Sequence, residues 1–467
     1  MNLSNYSPGV QKYIEIGDKI KQKQRHLIES RKKLKFDTIA VHGLYSIEEA
    51  LENNQGAVIE PLYLSTSQAY RDADEMEAAL AYLMPTWSYT RIANPTTYYL
   101  EWTLALLEGY QTGCDTSCVI TSSGMSAITS AIDPFIVKQK SGEEKINIVA
   151  TCQVYGGTFQ LFTVRKMQER GVEIRWILHP DDMDEWKSKI DENTRLLYGE
   201  APSNPQQSFF DIEEVAKIAH QFEIPLILDS TCATPALMRP IQYGADIVVH
   251  STTKSLTTGG LAVGGAIISK KPITTKIKND NPLFKENFAE YVKFLPYRDN
   301  GPAASPFNAL MTLNDLRTLR LKMDFLSRNT MKVAEFLQSH PAVYQVDYLG
   351  LESHPLHKIA KKYMKLVDSD DGKGNPVNRY GHLMSFRIDG PPENARKVLN
   401  SFKIIWRATD LGRIKSLATI PAISTHQQQG EEARQMADIP PQLIRLCVGA
   451  EHYEDIIADL EQALSKI

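Results

Sequence analysis

A lysine that ends an apolar, β-branched run is the residue in this chain best placed to act as a nucleophile. Ala245-Asp246-Ile247-Val248-Val249-His250-Ser251-Thr252-Thr253-Lys254 reads as a buried strand followed by small hydroxyl residues and the lysine. Ligands of open α/β sheets sit just beyond the carboxyl ends of the strands. An amine partly desolvated in such a place attacks carbonyl carbons. That chemistry is a Schiff base beside a phosphate site, which is what pyridoxal phosphate (PLP) requires. A lone lysine is more often a solvated surface charge. Ser251-Thr252-Thr253-Lys254 also fits the Ser-x-x-Lys pattern of penicillin-recognising enzymes, but their Ser-Asp-Asn and Lys-Thr-Gly partner motifs are missing from the chain.

What favours the nucleophile is its company. Leu226-Ile227-Leu228-Asp229 is a strand ending in an acid, and a buried aspartate beside a ring nitrogen keeps that ring cationic. Thr121-Ser122-Ser123-Gly124-Met125-Ser126 follows a strand and opens a helix, where backbone N–H groups can meet a phosphate. Glu200-Ala201-Pro202-Ser203-Asn204-Pro205 is a stiffened loop whose Asn204 can bond a ring hydroxyl. Tyr155-Gly156-Gly157-Thr158 offers an aromatic ring to stack and a proton to exchange. Tyr89-Thr90-Arg91 pairs a tyrosine with an arginine suited to phosphate. Arg445 lies inside the apolar strand Ile444-Arg445-Leu446-Cys447-Val448, where it wants a carboxylate, either a substrate's or a structural partner's. Each of these has a plainer reading alone, as a cap, a turn former or a core aromatic; together, in this order, they point to one site.

These residues need a scaffold. The chain has 467 residues, 42% hydrophobic and 23% charged, with a net charge of −4, which suits a soluble enzyme and gives no sign of nucleic-acid binding. The basic run from Lys19 to Lys35 reads as a solvated helix face. Five cysteines lack metal spacing and a disulfide framework, so no metal is expected and a reducing cytoplasm is the simplest home. The N-terminus lacks a signal-peptide core, and no apolar run is long enough to span a membrane. Strands are expected over 117–121, 146–150, 173–178, 195–200, 225–229, 246–250 and 263–269, with helices such as 212–222 between them. That alternation predicts a largely parallel, doubly covered sheet. The expected organisation is an arm with loops over 1–90, an α/β domain over 91–300 and an α+β domain over 301–467. The last would open with a long helix over 305–337 and carry strands near 383–388, 403–405 and 443–448, with a surface loop over 369–376.

From about Phe36 to its end the chain resembles the Cys/Met-metabolism family of PLP enzymes, the cystathionine γ-synthase-like group. The resemblance implies an aspartate-aminotransferase-type fold (PLP fold type I) with a mostly parallel seven-stranded sheet. It implies that Lys254 carries the cofactor, Asp229 faces the pyridine nitrogen and Tyr155 stacks on the ring and assists the leaving group. Ser123, Gly124, Met125, Ser251 and Thr253 would hold the phosphate, with Thr231 and Asn204 close by. Tyr89 and Arg91 would reach the cofactor of a neighbouring subunit, in a homotetramer built from two dimers. Arg445, with Asn204, would bind the substrate carboxylate. Enzymes of the group that handle cystathionine carry a glutamate before a Ser-Leu-Gly stretch. Here the segment is Ala408-Thr409-Asp410-Leu411-Gly412, so Thr409 argues against cystathionine, and Asp410 stands on the carboxylate side in place of the usual serine. Gly301-Pro302-Ala303-Ala304-Ser305-Pro306-Phe307-Asn308-Ala309, Gly350-Leu351-Glu352-Ser353-His354-Pro355 and Ser424-Thr425-His426-Gln427-Gln428 look like O-acetylhomoserine sulfhydrylases. The expected reaction is γ-replacement on O-acetylhomoserine by sulfide or a thiol, the alternative a C–S lyase of the methionine γ-lyase or cystathionine lyase type.

Overall fold

Strands Asn147–Thr151, Thr194–Glu200, Leu226–Asp229 and Ile247–His250 are buried at every position, so both of their faces need a covering layer. The computed structural model, which describes residues 6–137 and 146–467, supplies it. Strands β1 (Asp115–Thr121), β2 (Asn147–Thr151), β3 (Glu173–Ile177), β4 (Thr194–Glu200), β5 (Leu226–Asp229), β6 (Ile247–His250) and β7 (Gly265–Lys271) form one sheet in the order β1-β7-β6-β5-β4-β2-β3. β2 pairs in parallel with β3 and β4, β4 with β5, and β5 with β6. β7 runs antiparallel to β6 and β1, because the lysine loop turns straight back with no crossover helix. Ile227, Ile247, Val249 and Ile267 enter the core on one face of the sheet, and Leu226, Leu228, Val248 and Ile268 enter the core on the other. All seven expected strands are present, within two residues at each end.

The helices that bear on the site are α1 (Pro8–Arg31), α2 (Pro95–Glu108), α3 (Gly124–Ile132), α4 (Gly156–Gln160), α5 (Pro306–Leu316) and α6 (Leu319–Ser339). The expected arm with loops is more regular than its sequence pattern indicates. α1 is 24 residues long, capped by the Ser7 hydroxyl on the Val10 N–H and opened by a proline. Its Val10, Tyr13 and Ile14 pack with Ala78 and Leu83. The basic run lies mostly on the solvated side, where Lys23 pairs with Glu48 and Glu52 and Lys32 with Glu29 and Asp115. The one long helix expected over 305–337 is two. Thr318, at φ −115° and ψ 18°, separates α5 from α6. The Asp315 carboxylate at the end of α5 is drawn to the lysine loop, accepting the Gly259 N–H at 2.9 Å and the Lys322 ammonium at 2.8 Å.

After α6 the chain forms β8 (Val343–Asp347), the hairpin strands β9 (Lys365–Asp370) and β10 (Pro376–Asn378), then β11 (Leu383–Ile388), β12 (Trp406–Arg407), β13 (Leu417–Thr419) and β14 (Leu443–Cys447). Five of them make a second sheet in the order β12-β13-β14-β11-β8. The strand expected over 403–405 is instead a loop. The buried Asp459 carboxylate accepts the N–H groups of Lys403, Ile404 and Ile405 at 2.8–3.2 Å, which removes them from any ladder. Strand pairing begins only at Trp406. No helix among the described residues is long and apolar enough to cross a membrane.

Asp459→Ala leaves three N–H groups in a half-buried loop without an acceptor. We expect a loss of about 2–4 kcal/mol in stability, read as a lower midpoint in urea denaturation; an unchanged midpoint refutes the anchoring role.

Candidate active site

The carboxyl ends of β1, β4, β5 and β6 meet at one cavity of about 250 Å³. Ser123, Gly124 and Met125 enter it after β1, Glu200 and Asn204 after β4, Asp229 and Thr231 after β5, and Ser251, Thr253 and Lys254 after β6. Tyr155 enters from the start of α4 and Arg445 from β14.

At the mouth of α3, Ser123 and Ser126 cap each other. The Ser126 N–H reaches the Ser123 hydroxyl at 3.1 Å, and the Ser123 N–H reaches the Ser126 hydroxyl at 3.0 Å. The N–H groups of Gly124 and Met125, the first two of the helix, have no acceptor among the described residues. A free amide pair at the positive end of a helix is a receptor for an anion. Gly124 is required for the closeness: a Cβ there would lie 2.6 Å from the Cβ of Ser251. Thr253 is partly committed elsewhere, since its hydroxyl donates to the Gly264 carbonyl at 3.2 Å and accepts the Gly264 N–H at 3.0 Å.

Lys254 is held from a second direction. Its ammonium lies 2.6 Å from Asp410 Oδ1, and Asp410 Oδ2 accepts from Arg413 Nε at 2.5 Å. Arg413 Nη1 also donates to the carbonyls of Thr253 at 2.6 Å and Thr257 at 2.9 Å. Gly412, at φ +80°, lets this turn press onto the lysine backbone; a Cβ there would stand 2.5 Å from Ser255 N and 2.7 Å from Lys254 Cα.

Two carboxylates sit side by side at the inner end. Glu200 and Asp229 are register partners on β4 and β5. Burial pushes the Glu200 carboxyl well above the usual carboxylate range, and the charge of Asp229 pushes it further. Glu200 is nevertheless fully bonded: one oxygen accepts the Tyr155 N–H at 2.7 Å and the other the Asn204 N–H at 2.8 Å. Burial raises Asp229 as well, opposed by hydrogen bonds from Thr231, whose N–H lies 3.0 Å from Asp229 Oδ1. The Thr231 hydroxyl in turn accepts the Ser251 N–H at 2.8 Å, tying the end of β5 to the lysine loop.

Arg445 is 1% exposed and forms no ion pair among the described residues. Its guanidinium donates to Asn204 Oδ1 at 3.2 Å and to the carbonyls of Thr409 and Asp410 at 2.7 and 2.8 Å, and its Nε has no partner. Burial pulls it below the usual arginine range. The structural salt bridge that the sequence left open is therefore absent, and the site keeps a buried cation with an unspent donor.

The cavity does not collect every expected residue. Tyr89 and Arg91 lie outside it. Tyr89 is 44% exposed, and the Arg91 guanidinium sits 5.3 Å from its ring centroid and bonds the Arg298 carbonyl. The Asp410 side chain is spent on Lys254 and Arg413, and only its backbone meets Arg445. The sequence reading assigned no role to Glu200, Arg413 or Cys232, the last of which also lines the cavity. For Glu200 a signal existed: it ends a strand beside Asp229 and precedes a proline-stiffened loop. For Arg413 there was none, because its contacts with the lysine loop join positions more than 150 apart in sequence.

A model of the family described as Cys/Met metabolism PLP-dependent enzyme matches residues 37–465. The chain is 36% identical to the homocysteine synthase of Schizosaccharomyces pombe over 449 residues, covering 92% of this chain and 98% of that protein. It is 34% identical to the L-methionine gamma-lyase of Fusobacterium nucleatum subsp. polymorphum, covering 93% and 99%. Among solved structures it resembles a Campylobacter jejuni protein assigned as an O-acetylhomoserine (thiol)-lyase, with TM-score 0.80 and 32% identity over 92% of this chain and 100% of that one. That structure contains N′-pyridoxyl-lysine-5′-monophosphate.

Glu200 makes stability pH-dependent in a calculable direction. A carboxyl whose folded pKa lies above its unfolded value prefers the proton in the folded state. Its contribution is full below the unfolded value of 4.5 and is lost as pH rises through the raised one. We expect this carboxyl to cost up to about 1.4 kcal/mol per pH unit across that window. Glu200→Gln should flatten the curve above pH 4.5; identical slopes for the two proteins in pH-resolved urea denaturation would refute it.

Proposed function

The chain belongs to the Cys/Met metabolism PLP-dependent enzymes, and on that premise we propose that it replaces the γ-substituent of an O-activated homoserine. O-acetylhomoserine and sulfide would give homocysteine, and O-acetylhomoserine with a thiol would give methionine or another thioether. One observation carries the choice of substrate: the charge inventory of the cavity. Its acidic and basic side chains are Lys254, Glu200, Asp229 and Arg445, and Asp410 beside it is spent on Lys254 and Arg413. Each has a function at the amino-acid or cofactor end, so none remains to read a distal charge. Met125, Ile128, Val263, Thr409 and Leu411 add uncharged wall to the cavity. Such a wall suits a neutral ester or thioether and offers nothing to the distal ammonium of cystathionine.

The residues present fit PLP. Asp229, buried and bonded by Thr231, would face a protonated ring nitrogen. The free N–H groups of Gly124 and Met125, with the hydroxyls of Ser123, Ser251 and Thr253, would hold the phosphate. Tyr155 would cover the ring, with Asn204 and Thr231 beside it. Bound PLP supplies an electron sink for charge that develops on the substrate. Arg445 would bind the substrate α-carboxylate through its unspent Nε. Lys254 Nζ would take the proton from Cα, and a further proton leaves Cβ as the γ-substituent departs with help from Tyr155 or Lys254. Sulfide or a thiol would then add at Cγ, and protons would return to Cβ and Cα to complete the replacement. Glu200 would keep Tyr155 and Asn204 in place by their backbones.

The same neutral wall suits methionine. A C–S lyase that releases a 2-oxo acid, ammonia and a thiol is therefore the second reading, supported by the 34% identity to a methionine γ-lyase. We propose a homotetramer of two dimers with shared sites, because Tyr89 and Arg91 stand outside their own cavity where a second copy could use them. We place it in the cytoplasm on its five free cysteines, with no nucleic-acid or membrane partner.

Product analysis of PLP-loaded protein tests the reaction. We expect homocysteine from O-acetylhomoserine only when sulfide is present, and methionine left intact. Release of 2-oxobutyrate and methanethiol from methionine would favour the lyase instead. Arg445→Gln should lower kcat/KM for the amino-acid substrate by about 100-fold or more, the effect of removing one partner of a buried charged pair; a near-normal value would place the carboxylate elsewhere.

A further inference from the structure

Asp410 is the charged group nearest the working end of Lys254. A hydroxyl in its place would orient the lysine by a hydrogen bond alone. A carboxylate 2.6 Å from Nζ also attracts any positive charge that this nitrogen carries. The pair is not a loose surface contact. The two side chains are 25% and 34% exposed, and Asp410 Oδ1 is further fixed by the Leu411 N–H at 2.9 Å. Arg413, 14% exposed, takes the other oxygen. It shares the negative charge and, through the Thr253 and Thr257 carbonyls, holds the carboxylate at a set distance from the lysine loop.

We infer that Asp410 and Arg413 act as a charge-setting pair for Lys254: the carboxylate keeps the lysine nitrogen in its proton-bearing form, and the guanidinium limits how strongly. The nitrogen would carry that proton both as a free ammonium and when joined to the cofactor. The pair thereby sets the pH range in which the lysine site is ready for an incoming amine. Asp410 is a positioning residue in this scheme, acting through Lys254. The inference rests on the assignment of Lys254 to the cofactor. Other titratable or charged groups facing the lysine are Tyr155 at the start of α4, Glu200 and Asp229 at the ends of β4 and β5, Cys232 beyond β5, and Arg445 on β14.

The test is a pH titration of the visible absorbance of the PLP-loaded protein, which reads the lysine nitrogen without turnover. Asp410→Asn preserves size and the Leu411 contact. It should retain the cofactor and lower the midpoint of the colour change by about one pH unit or more relative to wild type. Arg413→Gln should move the midpoint the opposite way, because Asp410 then acts unshared. The other groups in the cavity are the same in all three proteins, so the signed difference reports the pair. A purely structural role would alter melting temperature or cofactor content without opposite shifts. An Asp410→Asn midpoint equal to or above that of wild type overturns the inference, as does loss of cofactor from an Asp410→Asn protein with a native melting curve. If Arg413→Gln does not fold, the Asp410→Asn shift decides alone. Lys254→Ala separates the two levels. Visible absorbance surviving that change defeats the cofactor assignment itself, whereas its loss together with an unmoved Asp410→Asn midpoint defeats only the charge-setting pair.

Discussion

The contact between Gly412 and the backbone of Lys254 and Ser255 joins the seven-stranded and five-stranded sheets of this protein beside the candidate site. It needs a residue without a Cβ at φ +80°, because any side chain would enter the lysine turn. With that contact made, the turn carrying Thr409, Asp410 and Arg413 has one place to go. Arg413 grips the lysine loop from below, Asp410 meets the lysine itself, and the carbonyls of Thr409 and Asp410 orient Arg445. The turn is anchored behind by Cys447, whose sulfur accepts the Gly412 N–H at 3.2 Å. A cavity built from strand ends of one sheet is thereby closed by a turn and a strand of the other.

The electrostatics follow from that closure. Glu200, Asp229 and Arg445 are buried, and burial alone disfavours the charge on each. The fold answers with fixed dipoles. Glu200 has two backbone N–H groups, Asp229 has Thr231, and Arg445 has two carbonyls and an amide oxygen. What remains for a ligand is informative: an arginine Nε, two N–H groups at a helix mouth and the buried carboxylate of Asp229. These are an anion site, a second anion site and a cation site, which is the polarity of an amino acid bound beside a phosphorylated pyridine.

Much of this was legible before any coordinates. Each strand of the seven-stranded sheet could be read because continuous apolar runs bounded by turn residues have few alternatives. The residues at their ends followed from the rule that ligands gather there. The misses have a shared cause. Before Thr90 the sequence marks only the basic run from Lys19 to Lys35 as a helix face; the 24-residue helix that holds most of it starts at Pro8, and its short buried stripe and charged surface leave its periodicity weak. The expected strand at 403–405 lost its backbone donors to Asp459, more than fifty residues away in sequence. The helix break at Thr318 answers to a lysine loop some sixty residues earlier. Local pattern carries no record of such partners.

Sequence by itself determined the kinds of groups available: a lysine after a buried strand, an acid ending another strand, a glycine opening a helix and an arginine inside an apolar strand. Residue type and short-range spacing decide those, because burial and backbone geometry are local demands. Tertiary structure alone decided who faces whom. It left Arg445 without a carboxylate, made Glu200 the clasp of Tyr155 and Asn204, kept Tyr89 and Arg91 out of their own cavity, and set Asp410 on Lys254 across 156 positions of chain. Hydrogen bonds and ion pairs act over about 3 Å of space whatever the distance in sequence, so their partners exist only once the chain has folded.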